Sequence, residues 1–508
     1  MIEPGHENHV LILGGGRQLV SMISALTDDR SVWKDSEIVV LTTQWDNEND
    51  LRNKELAQKA QVIYIIGEDQ EPNHDSVSIR CCQKLQKICR GTGRTIPCYL
   101  VFQNPSSFDV YNKDVETLDG TDLRVDVVNA KEHLAEQVLV ADHNGIDEVD
   151  YPKIDYRRIP LESSGFRKEE GIREEDGSFV HFAIAGMTDI ARAMALTAAH
   201  NCHFPNFKEG KNRTVISFID TGMVEKMDRF IDSLTHLFKL SHYRYISFDE
   251  KGQPHVIHHV PDVAYGDFLD IEWEFIDGNI RAPGVRTLLE KWAVEPERSL
   301  SFAICYERQE DNTTATLHLP SSIYASGCPV FTHLEDDGNV LYQDDPLFLA
   351  RTKKGQRVNF IYNQNYDAIK YPDPVSAWYA ISEVRKLSSI YCANALNVRK
   401  RSFDLGNGHG LSSLTEAQRH SLFDTEHRRW MMSALLLGYA PVEQAVRDAW
   451  KARRLSTDSD TANAAKEEYQ ALKSNHFIHL DITPYDDLIP EEQEKDEIIL
   501  NRINEILR

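Results

Sequence analysis

Residues Phe179 to Asp220 carry the clearest indication of the fold of this chain. It opens with the apolar run Phe179-Val180-His181-Phe182-Ala183-Ile184-Ala185, which leads into Gly186 and an alanine-rich segment with apolar residues at helical spacing. A second apolar run, Thr214-Val215-Ile216-Ser217-Phe218-Ile219, ends on Asp220. Short apolar runs of this kind are typical of strands buried on both faces of a parallel sheet. The order of strand, tight turn, helix, strand and carboxylate therefore predicts a βαβ unit of the dinucleotide-binding type.

Three residues of this unit are candidate cofactor-binding residues. The turn that starts at Gly186 would direct backbone N–H groups toward a phosphate, and Asp220 would accept hydrogen bonds from ribose hydroxyls. However, Thr188 stands where a central glycine lets the backbone approach a pyrophosphate. Asp220 also lies 34 residues after Gly186, whereas the usual spacing is about 20. The pattern predicts a Rossmann-like fold and leaves open whether the turn binds a dinucleotide or serves packing and assembly alone.

The N-terminal 150 residues show the same pattern of an apolar run, a glycine-rich turn and a helical segment. The apolar run His9–Leu13 leads into Gly14-Gly15-Gly16-Arg17, and four more apolar runs alternate with helical segments, at 37–41, 61–66, 97–102 and 124–128. This alternation predicts a parallel, doubly wound sheet. Gly14, Gly16 and Arg17 are candidate nucleotide contacts, because the glycines permit a phosphate turn and an arginine would meet the phosphate. The alternative is a tight strand–helix turn that carries a surface arginine.

Three domains follow from the pattern and the length of the chain. Residues 1–150 are predicted to form the first Rossmann-like domain. Residues 151–345 form the second, with further strands at 270–275, 300–306 and 329–334 and a helix over 283–292. Residues 346–508 change to helical periodicity and are predicted to be mostly α-helical. The fold class is therefore α/β, with two tandem Rossmann-like units and a smaller helical region.

Composition narrows the classes of function. The net charge is −24 over 508 residues, and a surface of that sign repels long nucleic acids. No apolar run approaches the ~18 residues of a membrane span, and no leader is evident, so we expect a cytoplasmic protein without direct membrane insertion. The short basic patches 399–401 and 451–454 are interpreted as solvated helix faces, with a small-anion site as the alternative.

Metal sites and catalytic motifs are not predicted. None of the eight cysteines forms a C-x-x-C pair, which favours buried reduced thiols over zinc or disulfides. His255, His258 and His259 form the one histidine cluster, and we interpret it as an exposed strand or loop, with a metal site as the alternative. No zincin, phosphate-loop, nucleophile-elbow or kinase signature is present, so the chain is not predicted to be an enzyme.

The C-terminal block carries a more specific signature. Glu426-His427-x-x-Trp430 is followed by Leu437-Gly438-Tyr439, then by His476 and by Pro484-Tyr485-Asp486-Asp487-Leu488. Together with Glu494-Lys495-Asp496, these motifs cover roughly residues 414–507. The block resembles the RyR domain, the helical repeat named after ryanodine receptors and also found in bacterial proteins. The two Rossmann-like units look like the TrkA-N/RCK class of regulatory nucleotide-binding modules.

The resemblance implies ligand sensing. A nucleotide or nucleotide-derived signal would bind and change the assembly state or the affinity for a partner, and NAD(H) or another adenine nucleotide would suit such modules. RCK-like units commonly pair, so a homo-oligomer is implied, with a membrane or effector protein as a further partner. By analogy with RyR-containing proteins, the resemblance extends to bacterial antiviral defence. The alternatives are a regulatory subunit of a cation channel or transporter, and an enzyme that processes a nucleotide such as NAD.

The ligand-binding residues that this block offers share a chemistry suited to nucleotides. His427 and Trp430 lie about one helical turn apart and share a face. Aromatic side chains stack on bases, cations contact phosphates, and carboxylates bind amino groups. The candidates are Glu426, His427, Arg429, Trp430, Tyr439, His476, Asp487 and Lys495. The alternative is that His427, Trp430 and Tyr439 pack the helical core and the charged residues are solvated.

Overall fold

The structure is a computed structural model in which the chain divides into two compact units. The first unit comprises Met1–Gln137 and Glu335–Ile390, and the second comprises Val138–Leu334 and Tyr391–Arg508. Each unit therefore combines two separated segments of the sequence. The residues that the structure describes are 9–27, 31, 33–43, 51–68, 74–102, 122–140, 171–208, 210–333, 346–406 and 409–507.

The first unit is built on a five-stranded parallel sheet in the order β2-β1-β3-β4-β5. Its strands are β1 (His9–Gly15), β2 (Glu37–Leu41), β3 (Val62–Glu68), β4 (Ile96–Phe102) and β5 (Leu123–Asn129). All five were predicted from the apolar runs, because strands covered by helices on both faces carry nearly continuous apolar sequence. The order is that of flavodoxin-like sheets, with the reversal of strand order between β1 and β3.

Helices of the first unit come from both of its segments. They are α1 (Arg17–Leu26), α2 (Leu51–Lys59), α3 (His74–Cys89), α4 (Ala130–Leu139), α11 (Pro346–Tyr366) and α12 (Pro374–Trp378). The later segment is fixed to the sheet through Asp126 of β5, which accepts hydrogen bonds from Trp378 Nε1 at 3.3 Å and Tyr379 Oη at 2.8 Å. Residues far apart in sequence thus complete one unit.

The second unit is built on a seven-stranded sheet in the order β12-β11-β6-β7-β10-β8-β9. Its strands are β6 (Phe179–Ala185), β7 (Thr214–Asp220), β8 (His242–Phe248), β9 (Pro254–His259), β10 (Ile271–Asp277), β11 (Arg298–Ile304) and β12 (Val330–Thr332). Only β9 runs antiparallel to its neighbour, β8. The βαβ unit that opens this sheet was predicted, as were the strands β10, β11 and β12.

The helices of the second unit also come from both of its segments. Those of the sheet region are α5 (Asp189–Asn201), α6 (Met223–Ser233), α7 (Thr235–Phe238), α8 (Pro283–Val294), α9 (Gln309–His318) and α10 (Ser321–Ala325). The C-terminal helices are α13 (Glu383–Ser402, which begins in the first unit), α14 (Glu416–Leu436), α15 (Gln444–Arg454), α16 (Ser459–His476), α17 (Pro490–Asn501) and α18 (Ile503–Ile506). A capping box between Thr415 and Gln418 starts α14.

The helical C-terminal block is not separate from the second sheet. Helix α14 packs against α5, where Ser433 Oγ lies 3.0 Å from His200 Nδ1. The ring of Tyr391 stacks on His200 with 3.7 Å between ring centroids. In the predicted three-domain division, each domain is one continuous segment of the sequence. The boundary at 150/151 lies outside the described residues, and the boundary at 345/346 lies at the edge of a described range. That division stays a prediction.

Candidate functional site

Helix α14 carries four of the predicted ligand-binding residues, and the structure places them on two different faces. Successive residues of a helix are about 100° apart, so Glu426 and Arg429 share one face and His427 and Trp430 share the next. Glu426 and Arg429 are almost fully buried, at 1% and 2% exposure, within the second unit. Trp430 is only half-buried. The sequence motif therefore contributes to two sites and not to one.

The inner face of α14 holds a buried ion-pair cluster. The carboxylate of Glu426 lies 2.6 Å from Arg429 Nε and 3.3 Å from Arg399 Nε. Arg399 is completely buried and also donates from Nη1 to the backbone oxygen of His203 at 2.7 Å. Burial lowers the pKa of Arg399 to about 10, although Glu426 opposes this effect. The prediction that the patch 399–401 is a solvated helix face is thus wrong for Arg399.

A second buried ion pair involves Arg428, which lies between Glu426 and Arg429 in the sequence of α14. Arg428 Nη1 lies 3.2 Å from the carboxylate of Asp270, whose other oxygen lies 2.7 Å from His203 Nδ1. Burial raises the pKa of Asp270, but the nearby charges of His203 and Arg428 outweigh burial and lower it overall. Asp270 stands immediately before β10, so this contact ties α14 to the second sheet. Asp270 begins the strand predicted at 270–275, but no sequence pattern indicates Arg428 as its partner.

The outer face of α14 builds an aromatic cluster with residues from three other segments. The ring of Trp430 is stacked against His427, with 5.4 Å between centroids, and meets the ring of His479 edge-on at 4.7 Å. Tyr439 meets the same histidine edge-on at 5.3 Å. His479 is buried between them, whereas Trp430 and Tyr439 are half-buried. We call Trp430, Tyr439, His479, Tyr469 and Asp481 the aromatic site.

Two irregular backbone positions bring Tyr439 and His479 together. Gly438, with φ +88°, ends α14, and Phe477, with φ +53°, ends α16. The chain then runs side by side at Ala440 and Ile478, where Ala440 N donates to Phe477 O at 2.7 Å and His479 N donates to Ala440 O at 3.0 Å. Glycine takes positive φ without cost, which explains why a helix stop was predictable at Gly438.

A hydrogen-bonded network underlies the aromatic rings. The hydroxyl of Tyr469 lies 2.6 Å from His479 Nδ1 and donates to Asp481 Oδ2 at 2.7 Å. Burial, reinforced by the charge of Glu492, raises the pKa of Asp481 to about 7. Burial lowers the pKa of His479, and the positive charges of Lys473 and Lys495 lower it further. Both lysines are therefore close enough to act on this network, and Lys495 also pairs with Glu492.

His427 is held at the base of the Trp430 ring by two oxygens. Its Nε2 lies 2.8 Å from the backbone oxygen of Thr483, and its Nδ1 lies 3.4 Å from the carboxylate of Asp496. Burial lowers the pKa of His427, but these oxygens outweigh burial and raise it above its ordinary value. The imidazole is thereby fixed parallel to the indole of Trp430. One face of the half-buried Trp430 ring therefore lies against His427.

The structure places the other predicted ligand residues at the margin of the aromatic site or away from it. Lys495 lies at the margin, as described above. His476 is exposed in the last turn of α16, next to Phe477, whose ring packs on Tyr439 with 5.3 Å between centroids. Asp487 is exposed in a short 3-10 turn, and its backbone oxygen accepts from Lys451 Nζ at 2.6 Å. Asp487 thus belongs to the surface beside α15.

At the predicted phosphate turn of the first unit, the parallel strands β1 and β3 approach each other closely. Gly14 has φ +145°, and a Cβ there would lie 2.3 Å from the backbone oxygen of Gly67 in β3. Gly16 has φ +85° and directly precedes α1. Arg17 begins α1, and its side chain lies outside the described residues. The glycine at position 14 is therefore required by backbone geometry, whether or not the turn binds a nucleotide.

The predicted cofactor residues of the second unit contact other atoms of the protein. Gly186 has φ +92°, and a Cβ there would lie 2.6 Å from Cys305 O. Thr188 Oγ1 donates to the same oxygen at 2.7 Å. The carboxylate of Asp220 accepts from Met187 N at 2.9 Å and pairs with Lys226. The N–H group that would face a phosphate thus binds a carboxylate of the same chain.

The cysteines lie in the interior, and the histidine cluster lies at the surface. All eight cysteines are buried, which confirms that part of the prediction, and their reduced state stays a prediction. His255, His258 and His259 lie on the exposed strand β9, as interpreted from the sequence. Within the described ranges, no three histidine, cysteine or acidic side chains are grouped so that they could hold a metal ion.

The basic patch on α15 pairs with acidic residues at the surface. Arg453 lies 2.7 Å from Glu468, and Arg454 pairs with Glu491. Arg453 is about half exposed, which fits the predicted solvated helix face.

Comparison with known proteins identifies no family for this chain. No protein-family model matches the chain, and no curated protein matches it. Among solved structures, the human SLO3 gating ring matches with 11% sequence identity and a TM-score of 0.33, covering 66% of this chain and 76% of that chain. This similarity is too distant to carry an argument about function. Among the helices that the structure describes, none is long and apolar enough to cross a membrane.

Proposed function

We propose that the chain is a sensor that binds a nucleotide or nucleotide-derived ligand at the aromatic site. One observation carries the proposal. Two half-buried aromatic rings, Trp430 and Tyr439, flank a buried histidine within the electrostatic reach of Lys473 and Lys495. Side chains that only pack a core are covered, whereas these two rings keep accessible surface on which a base would stack.

The surrounding charges suit the two ends of a nucleotide. Lys473 and Lys495 would contact phosphate groups, since an ammonium group binds a phosphate oxygen through a charge-assisted hydrogen bond. Glu492, which pairs with Lys495, would accept a hydrogen bond from the exocyclic amino group of a base. Asp481 is buried and would act indirectly, because it holds the hydroxyl of Tyr469 that lies against His479.

Helix α14 would pass the binding signal to the second sheet. Trp430 lies on its outer face, Glu426 lies on its inner face, and Arg428 lies on a third side of the helix. Glu426 and Arg428 are both in buried ion pairs. Buried ion pairs have few alternative arrangements, because a small displacement leaves a charge without its partner. A ligand that shifts α14 would therefore favour one of two discrete packings against the sheet. Regulation of a channel and a role in antiviral defence rest on the resemblances alone.

Calorimetry with the full chain tests the proposal. The ligands are NAD(H), NADP(H), ATP, ADP, AMP, ADP-ribose, and cyclic di- and oligonucleotides. We expect one of them to bind, to quench tryptophan fluorescence, and to lose at least tenfold in affinity in Trp430→Ala. Trp430→Phe should retain part of the affinity, since phenylalanine keeps a ring for stacking. Tyr324→Ala is the control, because Tyr324 is an aromatic residue of the same unit that is 47% exposed on α10.

Two outcomes would contradict the proposal. If Trp430→Ala binds the ligand as tightly as the unchanged chain, the site lies elsewhere. If none of the nucleotides binds, the aromatic rings serve packing alone. We also propose binding without turnover, so the ligand should be recovered chemically unchanged after prolonged incubation. Conversion of the ligand would favour the enzyme alternative.

A further inference from the structure

Strand β9 forms an open edge of the second sheet. It pairs with β8 on one side, from Tyr243–His259 to Phe248–Pro254, and no other strand in the described part of the chain pairs with its outer side. All six of its residues are exposed. An edge of this kind presents unpaired N–H and C=O groups, which are a template for another strand.

The edge lacks most of the features that usually prevent such pairing. Natural edge strands carry lysine or other charged side chains, proline, or a bulge. The one proline of β9, Pro254, stands at its first position, so the other five residues keep their backbone N–H groups. The sequence Pro254-His255-Val256-Ile257-His258-His259 contains no aspartate, glutamate, lysine or arginine, and its register with β8 is unbroken. The chain as a whole has a net charge of −24, so a six-residue edge without a carboxylate is a place where two copies would meet with little repulsion.

The pattern of side chains on β9 is self-complementary. Side chains alternate between the two faces of a sheet, so His255, Ile257 and His259 share the face that carries Ser247, Tyr245 and Tyr243 of β8. The order of side chains on that face, histidine, isoleucine and histidine, is the same in both directions along the strand. A two-fold axis through Ile257 therefore sets Ile257 opposite Ile257 of a second copy and His255 opposite its His259. The same register sets Pro254 opposite Val260, which is 70% exposed.

We propose that β9 pairs antiparallel with β9 of a second copy of this chain, which joins two seven-stranded sheets into one. The occupant is a second copy because the contact is isologous: each residue meets the residue that the symmetry requires, on the same face of the sheet. The pairing satisfies the free backbone groups of both edges and covers Ile257, which is 44% exposed in one copy. This inference does not depend on the proposed ligand.

Single cysteine substitutions test the register directly. Residues opposite each other in an antiparallel pair have Cα atoms about 4.5–5.5 Å apart, which a disulfide can bridge. Ile257→Cys should therefore form a disulfide-linked dimer under mild oxidation. His258→Cys is the matched control. In this register, position 258 lies opposite Val256 of the second copy. The Cα atoms at position 258 of the two copies are therefore roughly 8 Å apart, beyond the limit of about 7 Å for a disulfide. All eight native cysteines are buried, so disulfide cross-linking through them should be low.

Sedimentation velocity tests the assembly without a covalent bond. The unchanged chain should sediment as a dimer at micromolar concentration, and Ile257→Lys should raise the dissociation constant at least tenfold, since like charges directly opposite each other repel. Leu317→Lys, at a side chain 78% exposed on α9, should leave the dimer intact. A monomeric unchanged chain would overturn the proposal. So would a dimer that survives Ile257→Lys, or cross-linking of His258→Cys as fast as that of Ile257→Cys.

Discussion

At the scale of single residues, Asp481 is the most unusual titratable group of the aromatic site. Its carboxyl is buried, accepts a hydrogen bond from Tyr469, and lies near the negative charge of Glu492. Burial and the charge of Glu492 raise its pKa from 3.8 to about 7, although the hydrogen bond from Tyr469 opposes them. A carboxyl whose pKa is higher in the folded than in the unfolded chain binds more protons when folded. Its favourable contribution to stability is therefore complete below pH ~4 and is lost as the pH rises toward 7.

Asp481→Asn should remove this pH dependence. The side-chain oxygen of asparagine still accepts the hydrogen bond from Tyr469, but it carries no charge at any pH. We expect the variant to match the unchanged chain near pH 4 and to be more stable by at most about 4 kcal/mol above pH 7, since one pKa unit corresponds to about 1.4 kcal/mol. Urea unfolding monitored between pH 4 and 8 measures the difference.

A control separates this effect from a general change of charge. Glu467→Gln removes a carboxylate from the exposed side of α16, where the contribution to stability should be small. Its stability should therefore follow that of the unchanged chain at every pH. If the curves of Asp481→Asn and the unchanged chain also run parallel from pH 4 to 8, the carboxyl of Asp481 titrates normally and the burial argument is wrong.

At the scale of elements, α14 holds the second unit together through charges that face inward. Arg399 and Glu426 are both almost fully buried and 3.3 Å apart, and Arg429 shares the same carboxylate. Removing one partner of a buried ion pair typically costs about 3–5 kcal/mol, because the other charge stays buried without its partner. Replacing both partners with apolar side chains is far less costly. Helix α14 should therefore tolerate paired changes better than single ones.

A double-mutant cycle checks this expectation. Arg399→Met and Glu426→Met should each lower the free energy of unfolding by about 3–5 kcal/mol, whereas the double variant should lose clearly less than the two together. Urea unfolding at pH 7 gives all four values. The control is the exposed pair of Arg453 and Glu468, at 48% and 47% exposure, where a similar cycle should show about 0.5 kcal/mol or less. Additive losses for Arg399 and Glu426 would show that they do not interact.

The elements differ in how far the sequence predicted them. The parallel strands were predictable because burial on both faces leaves continuous apolar runs, as in β6 and β7. Strand β9 was interpreted only as an exposed strand or loop, because exposed histidines give no apolar signal of pairing. The two faces of α14 were not separable, since the spacings 426 to 429 and 427 to 430 are alike and only tertiary packing decides which is inside.

The aromatic site shows the same limit. Trp430 and Tyr439 were predicted from their motif, but His479 and Asp481 were not. In the sequence they alternate with the apolar Leu480 and Ile482, a pattern that predicts an ordinary half-buried strand, whereas the structure has a turn at Leu480 and Asp481. All four side chains are buried, and His479 is covered by Trp430 of α14 and Tyr469 of α16. No local sequence pattern indicates these contacts.

At the scale of the whole molecule, the two units are interleaved along the sequence. The first unit needs residues 335–390, and the second needs residues 391–508 in addition to its sheet. In the first unit, Tyr379 donates to the buried Asp126, and Lys386 donates to Val125 O at 3.2 Å. In the second, Arg428 neutralises Asp270, which is 2% exposed. A chain cut at the predicted boundary after residue 345 would therefore leave both units incomplete.

Hydrogen exchange on shortened chains tests this interleaving. A chain that ends at residue 345 should lose amide protection in β4 and β5 of the first unit and in β6 and β7 of the second, because buried charges and apolar surface become exposed in each. A chain that ends at residue 413 keeps every residue of the first unit. It should therefore keep the protection of β4 and β5 and lose that of β6 and β7. If β6 and β7 stay fully protected in the chain that ends at 345, residues 151–345 fold on their own. The continuous three-domain division would then be correct, and α14 would be an accessory to the second sheet and not a part of its core.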